Sequence, residues 1–196
     1  MIYVVKAIVT VLVTMLMQTC VVSTVSSTPA EATEAFLAAL KKQDAKVMER
    51  YMDNEYVNFL YNTEGDADVI GKMNKALFSS FSYEVEKVKQ KDGVAAARVV
   101  VTGCDFSDVM DSYEKKSYDY IMDNLYEDDI ADKDKLASKC LEMYVAEIEK
   151  VAEEAKTVET VVFIPMTEDG FYGWNVIMTD ELMKAVLGNL EMPTAK

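Results

Sequence analysis

The sequence predicts an α+β domain behind a membrane-targeting leader. Three observations carry that expectation. Apolar residues recur at helical spacing through Ala32, Phe36, Ala39 and Leu40 and again through Val69, Met73 and Leu77. The period then drops to two, with Phe81, Tyr83 and Val85 alternating with Ser82, Glu84 and Glu86. Strand patterns return near the C-terminus after a long acidic helical stretch.

Met1–Ser27 reads as an export signal. Lys6 supplies the positive start, and Ala7–Met17 is an apolar run. A spanning helix needs about 20 apolar residues; the shorter run suits the apolar core of a signal sequence. Ser23, Thr24, Ser26 and Ser27 follow, and Val25 and Ser27 fit cleavage before Thr28. Two alternatives stay open. One is an uncleaved anchor reaching Val25. The other is lipidation of Cys20: Leu16-Met17-Gln18-Thr19 before it loosely resembles the lipobox of a bacterial lipoprotein, with Thr19 where a small residue usually stands. A single acyl chain anchors only weakly by itself.

Thr28-Pro29-Ala30-Glu31 opens the first helix as a capping box with proline in the first turn. Lys41 and Lys42 suit its C-terminal end. Asp44 caps a short second helix bearing Val47, Met48 and Tyr51. Residues 53–66 read as irregular. Asp66 or Asp68 starts a third helix running to about Ser80. The strand at Phe81–Glu86 leads into a Lys91-Asp92-Gly93 turn, and Val94–Thr102 returns. Two helices are expected over about 107–126 and 133–156. Strands follow at Val158–Met166 and Phe171–Met178 around a Thr167–Gly170 turn, then a final helix over about 180–190. Residues 28–196 thus read as a single domain with a helical insertion at about 105–156.

Composition narrows the function. The 196 residues suit one domain with a real core, and 51% are apolar. With 20 basic and 34 acidic residues the net charge is −14, which disfavours nucleic acid and anionic lipid. Membrane contact is expected only through the leader or a lipid. The insertion carries 16 acids against 7 lysines, a net charge of −9. Histidine is absent, which removes the commonest general base and zinc ligand. No metal or cofactor is expected: the Asp128–Asp134 run lacks the glycine and closing acid of an EF-hand loop and reads as a helix-capping loop.

The segments Ala35-Phe36-Leu37-Ala38-Ala39-Leu40-Lys41-Lys42-Gln43-Asp44, Phe81-Ser82-Tyr83-Glu84-Val85 and Gly173-Trp174-Asn175-Val176, in this element order, resemble an NTF2-like domain. Small bacterial secreted proteins and lipoproteins of that superfamily share the texture. The resemblance covers about 28–104 and 157–190. It implies a cone in which a curved antiparallel sheet wraps N-terminal helices, with the acidic two-helix insertion as a departure. The superfamily includes proton-transfer enzymes, ligand binders and interaction domains, so fold alone does not set function. No position matches its catalytic motif, and no catalytic residue is carried over.

Tyr51, Tyr83, Arg98 and Trp174 are the candidates for lining a pocket, with Arg98 suited to a carboxylate or phosphate; simple core aromatics and a solvent-facing arginine are the alternative. Cys104 and Cys140 are either a disulfide or two free thiols. Tyr113, Tyr118, Tyr120, Tyr126 and Tyr144 give the insertion five of the eleven tyrosines, which suits a protein interface or an added layer over the sheet. The leading expectation is an exported, non-enzymatic binding or interaction module at a bacterial cell surface, with an unidentified protein as partner. The alternatives are a cone pocket for a small apolar ligand and, behind it, an acid–base enzyme using carboxylate and tyrosine.

Overall fold

The computed structural model describes residues 28–49, 53–62, 65–170 and 173–192. The leader, with Cys20, and also Tyr51 lie outside the described residues. The elements are α1 (Pro29–Lys42), α2 (Ala45–Met48), α3 (Glu55–Asn62), α4 (Ala67–Leu77), β1 (Ser82–Lys91), β2 (Val94–Cys104), α5 (Val109–Asp123), α6 (Asp128–Ala131), α7 (Lys133–Glu154), β3 (Thr157–Asp169), β4 (Gly173–Val176) and α8 (Asp180–Val186). The protein is α+β, with a four-stranded antiparallel sheet in the order β1-β2-β3-β4.

Local chemistry accounts for most boundaries. At the head of α1, Glu31 N–H donates to Thr28 Oγ1 at 3.2 Å and Thr28 N–H donates to Glu31 Oε2 at 3.1 Å, a complete capping box. Asp44, Asp66, Asp132 and Thr179 cap α2, α4, α7 and α8 through their side-chain oxygens. The β1–β2 hairpin turns on Asp92 and Gly93, with φ of 50° and 76°. Positive φ at both central residues matches the strand twist, which is why Asp-Gly serves there.

α1 crosses one face of the sheet. Its Phe36, Leu37 and Leu40 are buried, as are the inward sheet residues Ala97, Val99, Val101, Val162, Ile164 and Met166. α8 closes the same side with Leu182, Met183 and Val186. Burial of each of these Val, Leu, Ile, Phe and Met side chains contributes on the order of 1.5–3 kcal/mol. The C-terminal turn then clamps the end of β2. Phe106 N–H donates to Gly188 O at 2.7 Å, and a Cβ built on Gly188 would sit 1.8 Å from the Cys104 carbonyl oxygen. Only glycine fits that approach, and its φ of 58° is left-handed as well.

Two expectations need correction. Residues 53–66 are not irregular throughout, because α3 occupies Glu55–Asn62. Asn54 Oδ1 accepts from the N–H groups of Tyr56 and Val57, and Tyr56, Val57 and Leu60 turn into the core. The insertion belongs to the main core. Phe106, Val109, Tyr144, Val145 and Ile148 are buried in the same core, and α7 packs along α4. Strand β3 runs on to Asp169, through the segment expected to turn at Thr167.

Candidate functional site

Among the described residues the sheet has one covered and one open face. Alternation fixes which residues lie outside: on β2, Val94, Ala96, Arg98, Val100 and Thr102 alternate with buried Ala95, Ala97, Val99, Val101 and Gly103. Their partners in register are Lys91, Lys89, Lys87, Glu84 and Ser82 on β1 and Thr167, Pro165, Phe163, Val161 and Glu159 on β3. A β-bulge between Val85 and Lys87 restores the alternation after Glu86. The open face therefore carries lysines along β1 and apolar side chains along β3. Phe163 is 65% exposed, and Val94, Val161 and Ile177 are exposed with it.

The second surface is the far end of the insertion. Tyr118 and Met122 lie one turn apart on α5, and Leu125 and Tyr126 follow in the turn beyond it. All four are exposed, Tyr126 at 97%. Asp119, Asp123 and Glu127 follow the same four-residue spacing one position on, so an acidic stripe runs beside the apolar one. Next to it is an open groove of about 420 Å³ between α5 and the start of α7, lined by Tyr120, Asp134, Lys135, Ser138, Lys139 and Glu142. Lys139 and Glu142, three residues apart on α7, pair at 3.0 Å.

The base of the insertion is rigidly seated. Tyr144 O–H donates to the Glu191 carbonyl at 2.6 Å, and its ring meets Tyr113 and Phe59 edge-on at centroid distances of 5.4 and 6.3 Å. Burial pushes the Tyr144 phenol well above its ordinary range. Burial also raises Tyr113, with the neighbouring Cys140 adding to it, to about 12. Lys116 on α5 is ion-paired with the buried Glu147 on α7.

The candidate pocket residues that are described, Tyr83, Arg98 and Trp174, are not brought together. Tyr83 and Trp174 share the covered side but stand on the two edge strands, three spacings or roughly 14 Å apart. Tyr83 is half-buried beside Glu34, and burial with that carboxylate raises its phenol. Arg98 faces the opposite way, on the open face, paired with Glu86. Cys104 is buried and Cys140 half-buried, and both thiols are free. Among the described residues no group of three His, Cys, Asp or Glu side chains is arranged to hold a metal. No helix there is long and apolar enough to cross a membrane. The Asp128–Asp134 run contains a capping residue: Asp132 accepts from the N–H groups of Asp134 and Lys135.

Two features escaped sequence reasoning. One is the stripe at 118, 122 and 125–126, whose spacing is readable once the helix end is known. The other is the open apolar face, signalled by Val161-Val162-Phe163-Ile164, a run apolar on both strand faces.

Fold and surfaces together define an α+β sheet protein with an exposed apolar surface at the end of α5. No protein-family model matches the chain, and no curated protein matches it. A solved structure with some likeness is ycdA from Bacillus subtilis, an inferred lipoprotein, at 16% identity and a TM-score of 0.43. The match covers 83% of this chain and 47% of that one, so the chain spans about half the length of ycdA.

Proposed function

We propose that the chain is an exported interaction module of NTF2-like type that docks a protein partner through the end of its helical insertion. The carrying observation is the exposed group Tyr118, Met122, Leu125 and Tyr126 beside an acidic stripe. Four large apolar side chains held in water at the tip of a well-seated helix mark a contact surface, and Tyr and Met are favoured at interfaces. The leader reading of residues 1–27 supports export. The crossing of the sheet's covered face by α1, with α8 beside it, supports the NTF2-like assignment. With its α7 base fixed in the core, the surface needs little ordering on binding, which favours affinity.

Fractionation of the native host, followed by affinity capture with the full chain and with a Tyr118→Ser/Tyr126→Ser variant, tests this. The expected result is an envelope or extracellular location and a partner retained by wild type and lost by the variant. A cytosolic location, or equal capture by both chains, would overturn it.

A further inference from the structure

We propose that the partner of this surface is a second copy of the chain, with the end of α5 of one copy lying across the open sheet face of another. The inference rests on reading the end of α5 as a docking surface and adds the identity of what it meets.

The exposed large apolar side chains among the described residues fall into two sets. Val94, Val161, Phe163 and Ile177 lie on the open sheet face; Tyr118, Met122, Leu125 and Tyr126 lie at the end of α5. Each set is bordered by charge: acids beside the helix set, and lysines beside the Phe163 end of the sheet set, with Glu84 and Glu159 at its Val161 end. Asp119, Asp123 and Glu127 flank the helix set. Residues 82–102 hold four basic and three acidic side chains in an otherwise acidic molecule. Of these, Lys91 lies 3.9 Å from Asp92 and Arg98 is paired with Glu86, so Lys87 and Lys89 are the cations this face offers.

The spacings agree in both directions. Residues i and i+4 on a helix rise about 6 Å, and outward positions i and i+2 on a strand are about 6.8 Å apart. Asp119 and Asp123 can therefore face Lys87 and Lys89 while Tyr118 and Met122 face Phe163 and Pro165, which share their rungs across β2. From the β1 column to the β3 column is two strand spacings, about 9.6 Å, close to the width of one helix with its side chains. Opposed charges fix the register, and the apolar contact supplies the affinity. Because each copy holds both halves, the contact is head to tail and either continues from copy to copy or closes on itself.

Sedimentation velocity on the full chain, as its host processes it, tests the proposal over a range of concentrations. Wild type is expected to gain mass with concentration. Asp119→Lys/Asp123→Lys and Lys87→Glu/Lys89→Glu should each weaken association by about 100-fold, and an equimolar mixture of the two should restore it. Circular dichroism checks that each variant folds; Phe163→Gln, which alters only an exposed ring, replaces any that does not and should weaken association likewise. A wild type that stays monomeric at every concentration, association indifferent to either reversal, or a mixture that does not reassociate would overturn the proposal. If wild type is monomeric while Tyr118- and Tyr126-dependent capture of another protein persists, the self-partner fails and the interaction module stands.

Discussion

Lys116 on α5 is ion-paired with Glu147 on α7, whose side chain is only 4% exposed. This carboxylate sits in the seam that joins the insertion to the core, beside buried Tyr144 and Ile148. Removing the lysine leaves a desolvated charge without its partner, so Lys116→Met should destabilise the fold by about 2–3 kcal/mol. Replacing both with methionine should recover much of that loss, because no buried charge remains. Urea midpoints of the two single variants and the double variant measure the coupling.

The insertion should divide into a structural base and a dispensable end. Deleting residues 107–156 removes Val109, Tyr144, Val145 and Ile148 from the core and should abolish cooperative unfolding. Tyr118→Ser and Tyr126→Ser touch only exposed rings and should change stability by no more than about 0.5 kcal/mol. Thermal unfolding followed by circular dichroism separates the cases.

Gly188 offers a test of the C-terminal clamp. Alanine there combines a φ of 58° with a Cβ that would meet the Cys104 carbonyl at 1.8 Å. The backbone must move, and a loss of about 3 kcal/mol or more is expected. Gly71→Ala, whose Cβ meets nothing within 4 Å on an exposed helix position, should instead stabilise by roughly 0.5–1 kcal/mol. Chemical denaturation of the two alanine variants gives the contrast.

High pH should unfold the protein in a defined window. Tyr56, Tyr61, Tyr83, Tyr113 and Tyr144 all have phenols raised above 10 by burial, with Tyr113 at about 12. Above pH 10 the unfolded chain sheds these protons while the folded chain keeps them. The unfolded state then binds fewer protons, so stability is full below pH 10 and falls as pH rises toward 12. Tyr113→Phe should make that fall shallower. Urea midpoints at about pH 9 and about pH 11, for wild type and variant, read the difference.

How much of this was legible in the sequence depends on how local each signal is. Thr28 with Glu31, Asp44, and Asp92 with Gly93 act within a few residues of chain, and each does what its sequence predicts. α3 was missed because its start rests on Asn54 and its short apolar face on tertiary contacts with α8. The direction of Arg98 depends on strand register, and one residue of parity puts a side chain on the other face. The role of α7 was half visible: a helix over about 133–156 was expected, but not that its Tyr144 and Ile148 complete the main core. Surfaces made by several elements, such as the open sheet face, form only when β1, β2 and β3 are in register.

The most direct test of the central claim is site-specific photo-crosslinking in the living host. A photoreactive residue would be placed singly at Met122 or Tyr126 on the proposed docking surface, and at the exposed Glu153 on the opposite end of α7. The account predicts discrete crosslinked adducts from Met122 and Tyr126 in the cell envelope, and none from Glu153. Adducts from Glu153 alone, or none from either docking position, would contradict it.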